Sequence, residues 1–283
     1  MANKRYFPSA TVLAELDLEL LFATEVLKLR SLHYGYWNAG DNLTMADLHR
    51  AQSRYTETLI ELIPGTVKAI LDVGAGMGDN AMALAAHGHR VTAISPDNGH
   101  ARYYPAAGND NVCFRNVKFE DLDLSEKFDL ILMAESHNYF YADAAFAQCR
   151  RYLQPGGYLL VSGMFGRANT KKLRDILYGR DDYVALAKQN GFRLIKGIDI
   201  TDNVLPTLEL TQKGYRDYVI PVFGLLGQYL EKSAPLRWRV LKLLCHRQFR
   251  ELKELHRYYE ERMDPNLFKQ QATYERLLFS FDG

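Results

Sequence analysis

The stretch AILDVGAGMGDNAMALA, from Ala69 to Ala85, decides the fold. Its apolar start is typical of a buried parallel strand, and Asp72 stands at the end of that strand. Three glycines follow at alternate positions: Gly74, Gly76 and Gly78. An alanine-rich helix comes next, which Asp79 and Asn80 are placed to cap. Glycines let a backbone approach a ligand closely, so a strand, a glycine turn and a helix in this order predict the first unit of a nucleotide-binding α/β fold.

The glycine spacing separates two classes of ligand. In the dinucleotide fingerprint G-x-G-x-x-G the third glycine comes three residues after the second, whereas Gly78 comes two residues after Gly76. A carboxylate at Asp79 would repel a pyrophosphate. The pattern G-x-G-x-G after Asp72 instead resembles motif I of class I S-adenosylmethionine (SAM)-dependent methyltransferases, in which nearby carboxylates meet the ammonium group of SAM. A tight turn without a ligand is the remaining alternative.

A second motif lies at the matching distance from the first. The string LQPGGYL at residues 153–159 is similar to the L-x-P-G-G turn before the fifth strand of class I methyltransferases. The matches together cover residues 70–165. The resemblance implies an α/β fold with a doubly wound, Rossmann-like sheet of seven mostly parallel strands and a helical cap. It also implies SAM as cofactor and methyl transfer to C, O or N of a small lipophilic or aromatic acceptor. An NAD(P)-dependent oxidoreductase, or a non-methylating SAM-binding cyclase or binding protein, is the alternative.

The resemblance places further cofactor contacts after the second and third strands. Ser95 replaces the acid that usually follows strand two, as in the cyclopropane-fatty-acid and mycolic-acid branch, so Ser95, Asp97 or Asn98 is expected at the ribose. Asp97 also suits a helix cap. The segment Phe119–Asp121 resembles the part that holds adenine, although a solvated acidic turn has the same pattern. The expected cofactor contacts are Tyr34, Asp72, Gly74, Ala75, Gly76, Gly78, Ser95, Asp97, Asn98, Phe119, Glu120, Asp121 and Ala134.

Candidate catalytic residues follow the fourth strand, which is predicted at residues 128–133. Ligands of open α/β sheets bind beyond the carboxyl ends of the strands, so Glu135 and His137 stand where a reacting group is expected. Either side chain accepts a proton, and the aromatic residues around them suit a cationic transition state. A structural carboxylate paired with an arginine and a surface histidine are the alternatives.

An aromatic segment precedes the first strand. Residues 9–30 have the periodicity of an amphipathic helix, and the segment Ser31–Asn38 follows it. The H-Y-G-x-W pattern of this segment resembles the N-terminal segment of tocopherol, alkaloid N- and terpenoid C-methyltransferases. We interpret the segment as a lid, with a packed helix–helix turn as the alternative. The expected substrate contacts are His33, Tyr36, Trp37, Tyr139, Phe165, Tyr218 and Phe223.

About 70 residues separate the sixth and seventh predicted strands, Phe192–Ile200 and Ala272–Phe281. An insertion of this length usually carries function, so we expect a helical substrate cap. The predicted organisation is an N-terminal helical lid segment (1–64), a SAM-binding α/β core (65–202 with 271–283) and the cap (203–270). The basic and apolar stretch Trp238–Arg250 suggests either weak membrane-surface contact or an amphipathic helix with its charges in water.

Composition limits the remaining classes. The 283 residues carry a formal net charge of +1, which argues against a nucleic-acid binder that relies on charge. The three cysteines form no C-x-x-C pair, so neither a zinc or other metal site nor a disulfide framework is expected. No apolar run approaches a membrane span. We therefore expect a cytoplasmic enzyme of secondary metabolism that acts on a small molecule, and a homo-oligomer is left open.

Overall fold

Seven strands form one sheet in the order β3-β2-β1-β4-β5-β7-β6. The computed structural model describes residues 28–29, 31–104, 111–167 and 177–283. The helix predicted over 9–30 lies outside the described residues apart from its last few positions. The strands are β1 (Ala69–Val73), β2 (Arg90–Ser95), β3 (Val112–Asn116), β4 (Phe128–Ala134), β5 (Leu153–Gly166), β6 (Phe192–Asp199) and β7 (Ala272–Phe281).

Helices flank this sheet and extend beyond it. Within the described ranges they are α1 (Met45–Ile60), α2 (Asp79–Ala86), α3 (Ala142–Tyr152), α4 (Arg180–Gln189), α5 (Thr201–Gly214), α6 (Ile220–Ser233), α7 (Pro235–Leu244), α8 (His246–Arg262) and α9 (Pro265–Gln271). Short 3₁₀ turns cover Asn98–Tyr103, Phe119–Asp121 and His137–Tyr139, and a π turn at Tyr215–Val219 joins α5 to α6.

Strand β1 lies at the centre of the sheet and is buried along its whole length. It pairs in parallel with β2 and β4, so the carboxyl ends of these three strands meet at one edge. Strand β7 runs antiparallel between β5 and β6. The predicted doubly wound, mostly parallel, seven-stranded sheet is confirmed, and it places the glycine turn and Glu135 at the same edge.

Two apolar layers cover the sheet, one on each face. Consecutive side chains in a strand point to opposite faces, so Leu71 packs in one layer and Ile70 in the other. Phe146 of α3 belongs to the layer of Leu71, whereas Tyr55 of α1 and Leu84 of α2 belong to the layer of Ile70. The sheet is therefore rigidly held between helices, which gives its carboxyl edge a fixed geometry.

The chain between β6 and β7 is helical, as the insertion predicted. The helical run over residues 235–262 is interrupted at Cys245, because α7 ends at Leu244 and α8 begins at His246. Helix α5 packs partly into the core through Val204 and Leu208, whereas α6, α7 and α8 contain no buried residue. That these helices cap a substrate remains a proposal.

Candidate active site

The glycine turn connects β1 to α2 with three residues of positive φ. Gly74, Gly76 and Gly78 have φ values of 77°, 54° and 86°, which glycine adopts without strain. A Cβ on Gly74 would lie 2.5 Å from the Cβ of Ser136, and one on Gly78 would lie 2.7 Å from the ring of Tyr104. At Gly76 none of the described residues apart from its two chain neighbours comes within 4 Å of that position. The turn is thus packed at its two ends and open at its middle glycine.

Helix α2 begins at this turn without a side-chain cap. Gly78 occupies the N-cap position, so the expected capping by Asp79 or Asn80 is wrong. The Asp79 carboxylate instead lies 3.3 Å from Nε2 of His33. Because no side chain covers the first N–H groups of α2, the turn keeps donors and a positive dipole end available beside its open glycine.

Asp72 lies beneath the turn and is 1% exposed. Within the described part of the chain, its Oδ2 atom has no hydrogen-bond partner. Burial raises the pKa of Asp72 to about 7, and the charge of nearby His33 offsets part of that rise. A buried carboxyl without a partner is costly in a free protein, but it suits a ligand that brings a positive charge. The amino-acid end of SAM carries such an ammonium group, so the residues of the turn fit this cofactor.

Glu135 follows β4 with an unusual backbone conformation. Its φ of 61° lies in the left-handed region, which costs a residue with a side chain about 1 kcal/mol or more. Its N–H donates to the Ser162 carbonyl over 2.7 Å, so pairing with β5 holds this conformation in place. Strain of this kind concentrates at functional sites. The end of β4 therefore presents one carboxyl at the ligand-binding edge of the sheet.

The Glu135 carboxyl accepts two hydrogen bonds at Oε1. The backbone N–H of Tyr34 donates over 3.0 Å and the hydroxyl of Tyr274 over 2.5 Å. Burial raises the pKa of Glu135, and the charge of His33 and these two donors lower it in part. A carboxyl with a raised pKa is suited to exchange protons near neutral pH.

A series of hydrogen-bonded hydroxyl groups leads away from this carboxyl, starting at Tyr274. The Tyr274 oxygen lies 2.9 Å from that of Tyr55, which lies 2.7 Å from Oγ of Ser162. Because Tyr274 donates to Glu135, Tyr55 donates to Tyr274 and Ser162 donates to Tyr55. Burial raises the pKa of Tyr55 to about 12, so its hydroxyl stays protonated. Donors aligned in one direction reinforce each other and hold the Glu135 carboxyl in one orientation.

Residues 31–38, which we call the strap, lie over the end of β4. Gly35 N–H and Trp37 Nε1–H both donate to Oγ1 of Thr207 in α5, over 3.0 and 2.8 Å. A Cβ on Gly35 would lie 2.6 Å from the Cβ of Ala51 in α1, so glycine is required for this close packing. The strap is thus fixed between α1 and α5 while its Tyr34 N–H reaches Glu135.

Comparison with known proteins identifies the chain. A family model described as "Methyltransferase domain" matches residues 71–161, from within β1 to within β5. This range includes the glycine turn, Asp72 and Glu135. Residues 71–161 therefore form a methyltransferase domain, and the chain is similar to the class I SAM-dependent methyltransferases. An oxidoreductase, the first alternative raised by the sequence, is thereby set aside, and SAM is the cofactor.

Curated relatives place this methyltransferase among enzymes of small molecules. It is 28% identical over 239 residues to an S-adenosyl-L-methionine-dependent Diels-Alderase of Talaromyces variabilis, covering 74% of this chain and 79% of that one. It is 24% identical over 208 residues to a probable chloroplastic tocopherol O-methyltransferase of Oryza sativa subsp. japonica, covering 62% and 58%. The small-molecule branch expected from the sequence is confirmed.

Solved structures confirm the fold of the methyltransferase. A putative sarcosine dimethylglycine methyltransferase from Galdieria sulphuraria superposes with a TM-score of 0.70 at 15% identity, covering 94% of this chain and 99% of that one. A geranyl diphosphate C-methyltransferase from Streptomyces coelicolor A3(2) and the mycolic acid cyclopropane synthase CmaA1 give TM-scores of 0.61 and 0.62, at 18% and 16% identity. They cover 96% and 87% of this chain, and 99% and 88% of their own.

Several residues that the sequence places at the substrate belong to the core of this methyltransferase. His137 is 1% exposed and stacks on Phe165 with ring centroids 4.6 Å apart, and Phe165 itself is fully buried. The ring of His137 is therefore buried rather than placed as a base at the ligand-binding edge, and it is not the surface histidine of the alternative either, because the turn after Glu135 directs it inward against Gly163. Trp37 is 3% exposed and packs against α1, so it supports the strap rather than lining a pocket.

Other expected substrate contacts have different surroundings. His33 lies beside Asp79 and stacks on Tyr55 at 4.3 Å, so it faces the cofactor turn. Tyr36 is half-buried, and Tyr139 is 58% exposed. Tyr218 and Phe223, at the π turn and on α6, are largely exposed, because that helix protrudes from the core. Their expected substrate contacts stay predictions.

The residues at and after the end of β2 show how the expected ribose contacts are arranged. The buried Ser95 hydroxyl lies 2.8 Å from Nδ1 of His100, and Asp97 caps the following 3₁₀ turn through Gly99 N–H. Asn98 is exposed and the Asp97 side chain is partly exposed, so both stay candidates for the ribose.

In the segment expected at the adenine, the structure corrects one of the expected contacts. Phe119 is 2% exposed and packs against Phe140 in the core, so its expected contact with adenine is wrong. Glu120 and Asp121 are exposed, as the alternative of a solvated acidic turn predicts. Ala75 and Ala134 lie partly exposed on the glycine turn and at the end of β4, where the resemblance places them.

Sequence reasoning missed Tyr274 and Tyr55. Tyr274 lies in an apolar strand pattern that gives no sign of a polar role, and only the register of β7, which sets Tyr274 opposite Met164 of β5, brings it to Glu135. Tyr55 lies on the inner face of α1, among the buried residues of that helix. No local signal in the sequence distinguishes these tyrosines from ordinary core residues.

Replacing Asp72 with asparagine is expected to stabilise the free methyltransferase at neutral pH and to weaken SAM binding at least tenfold. The pKa of Asp72 is higher folded than unfolded, so the unfolded chain loses its proton first and stability falls as pH rises from about 4 to about 7. Asparagine does not titrate, so the variant should lack this decrease in the free energy of unfolding, which is on the order of 2 to 4 kcal/mol. Urea unfolding at pH 5 and pH 8, with exposed Asp143→Asn as control, measures it. An equal pH dependence in parent and variant would contradict the assignment.

Proposed function

We propose that this enzyme methylates an oxygen or carbon atom of a lipophilic or aromatic small molecule, with Glu135 as its acid–base group. One observation carries the proposal: a single strained carboxyl with a raised pKa lies at the carboxyl edge of the sheet, beneath an aromatic strap. Tyr34 and Tyr36 of the strap are only partly buried, so they offer apolar ring surface near this carboxyl. Such surroundings favour an apolar acceptor over a highly charged one.

Different residues of the chain bind SAM and transfer the proton. Asp72, Asp79 and the open turn at Gly76 would hold SAM, which supplies an activated methyl group. The strap limits the access of water to Glu135, and the hydroxyl chain behind Tyr274 fixes the direction of its carboxyl. With a hydroxyl acceptor Glu135 takes the proton, and with an alkene it stabilises the cation that forms.

Tritium in the methyl group of SAM gives a direct test of the acceptor class. We expect label to enter phenols or unsaturated terpenoid alcohols and to move into an organic extract. Transfer only to highly polar amines would contradict the proposal. Mass spectrometry of any ligand that co-purifies with the enzyme would identify the acceptor itself.

Pericyclic catalysis is a second candidate function. The observation that favours it is the similarity over 74% of the chain to a SAM-dependent Diels-Alderase. Methyl transfer consumes SAM with each turnover, whereas an isomerising cyclisation does not. Turnover of a linear polyene without loss of SAM, and sustained by S-adenosylhomocysteine, would favour the cyclase.

Replacing Tyr274 with phenylalanine is expected to lower turnover about tenfold and to shift its pH profile. The Tyr274 hydroxyl donates to the Glu135 carboxylate and lowers its pKa, so removing the donor raises that pKa further. If Glu135 acts as a base, the acidic limb of kcat/KM then moves to higher pH. Tyr229→Phe, on the exposed surface of α6, is the matched control. An unchanged pH profile with a normal fold would show that Tyr274 does not tune Glu135.

The proposal also covers where in the cell the enzyme acts and what it binds besides its substrate. We propose that the enzyme acts in the cytoplasm, which Cys113, Cys149 and Cys245 support because all three are free thiols. None of the described helices combines the length and hydropathy needed to cross a bilayer.

We also propose a homo-oligomer, for which light scattering is the test, and a weak contact with a membrane surface.

A further inference from the structure

Helices α6 and α7 expose an unusual amount of apolar surface. Most of the large apolar side chains that are exposed in the described chain lie between Tyr218 and Leu252. In α7, Leu236, Leu243 and Leu244 are each more than 70% exposed. Contiguous exposed apolar surface marks an interaction site. The exposed residues are Tyr218, Ile220, Val222, Phe223, Leu225, Leu226, Tyr229, Leu236, Val240, Leu241, Leu243, Leu244 and Leu252.

The distribution of apolar residues in α6 suits a membrane interface. Five of its six exposed apolar residues, between Val222 and Tyr229, fall on one side of the helix, and Gln228, Glu231 and Lys232 fall on the other. A helix with one apolar and one polar side lies in the plane of a membrane interface, with its apolar side toward the hydrocarbon. With 14 residues, α6 is about 21 Å long and too short to span a bilayer, so it would lie within one interface.

Positive charge surrounds this apolar surface. Between Tyr218 and Leu252 the chain has six lysines and arginines and two acidic residues, Glu231 and Glu251, in a chain whose formal net charge is +1. Glu251 pairs with Arg247 over 3.1 Å. In α7, Arg237, Arg239 and Lys242 alternate with the exposed leucines, and the Lys242 ammonium lies 4.9 Å from the ring centre of Trp238. A second copy joined through the same surface would bring like charges together. Anionic lipid headgroups would neutralise them.

A small apolar groove continues the surface between α7 and α8. It has a volume of about 170 Å³ and is lined by Leu241, Cys245, Gln248, Phe249 and Leu252, with only apolar atoms exposed inside it. Arg247 and Arg250 lie beside it along α8 and are exposed. An apolar recess rimmed by cations is complementary to the upper part of an acyl chain beneath an anionic headgroup.

We propose that α6 and α7 bind the surface of an anionic lipid bilayer. Helix α6 and the leucines of α7 enter the headgroup region, and the cations of α7 and α8 contact lipid phosphates. This surface lies outside the glycine turn and Glu135, so the inference holds whichever acceptor is methylated. It gives the enzyme a direct route to acceptors that partition into membranes.

Vesicle sedimentation with the full chain tests the proposal. We expect binding to phosphatidylcholine vesicles with 30% phosphatidylglycerol to be about tenfold stronger than to phosphatidylcholine alone, and to weaken as salt rises. Leu243→Glu with Leu244→Glu should lower binding about tenfold, and Arg237→Gln with Arg239→Gln should remove the preference for anionic lipid. Leu43→Glu with Ile195→Glu, two exposed apolar positions elsewhere, is the matched control.

Two outcomes would overturn the proposal. One is that the full chain binds neither vesicle composition, or that Leu243→Glu with Leu244→Glu leaves its binding unchanged. The other is that light scattering detects a dimer that Leu243→Glu with Leu244→Glu dissociates, while vesicles do not compete for the surface. Circular dichroism and calorimetric SAM binding establish that each variant is folded.

Discussion

Glu135→Gln is expected to lower turnover by about 100-fold to 10,000-fold while SAM affinity stays within about threefold of the parent. Glutamine keeps the size of the side chain and accepts the hydrogen bonds from Tyr34 N–H and the Tyr274 hydroxyl at its amide oxygen. It cannot take a proton or carry a negative charge. General acid–base groups contribute rate effects of this size, so the loss should appear in kcat.

The measurement needs single turnovers as well as steady state, because product release limits many enzymes. Glu57→Gln, at an exposed position of α1, controls for the substitution itself. Unchanged methyl transfer in Glu135→Gln would remove the catalytic role. A parallel loss of SAM affinity and turnover would instead assign Glu135 to the cofactor.

Gly76→Val is expected to weaken SAM binding at least 100-fold. Gly76 has a φ of 54°, and the space beside it is open, so a branched side chain both strains the turn and fills the volume assigned to the cofactor. The strain costs about 1 to 2 kcal/mol of stability. Isothermal calorimetry with SAM measures the loss.

Gly88 offers a matched control for this substitution. It has a φ of 90°, no other atom lies within 4 Å of its missing Cβ, and it follows the opposite end of α2. Gly88→Val should therefore cost similar stability and leave SAM binding intact. Equal loss of binding in both variants would attribute the effect to unfolding and contradict the cofactor site at Gly76.

The fold was predictable because its signals are local. The glycine turn and the apolar runs of β1 and β4 each report on neighbouring residues, and β1 and β4 form where these patterns indicate. Strand β5 begins at Leu153 and so includes the LQPGG segment that was expected as a turn before it. The helical insertion before β7 was predictable for the same reason. The break at Cys245 was not, because the apolar and basic pattern continues through it.

The site was predictable only in part, because the groups that hydrogen-bond to Glu135 come from distant parts of the chain. Position after a strand correctly placed Glu135 at the carboxyl edge, but the same argument misplaced His137, whose ring turns into the core beside Phe165. Position in sequence does not specify which way a side chain points after a strand ends. The hydrogen bond from Tyr274 depends on the register of β7, which no local pattern reports.

The surroundings of Glu135 also bear on the order in which the molecule folds. The glycine turn is built from residues close together in sequence, whereas Glu135 depends on Tyr34 and Tyr274, which are 101 and 139 positions away. Closing such long loops carries a high entropic cost, so contacts of this kind form late. A refolding chain should therefore acquire its nucleotide-binding turn first. Recovery of methyl transfer should lag behind recovery of the sheet.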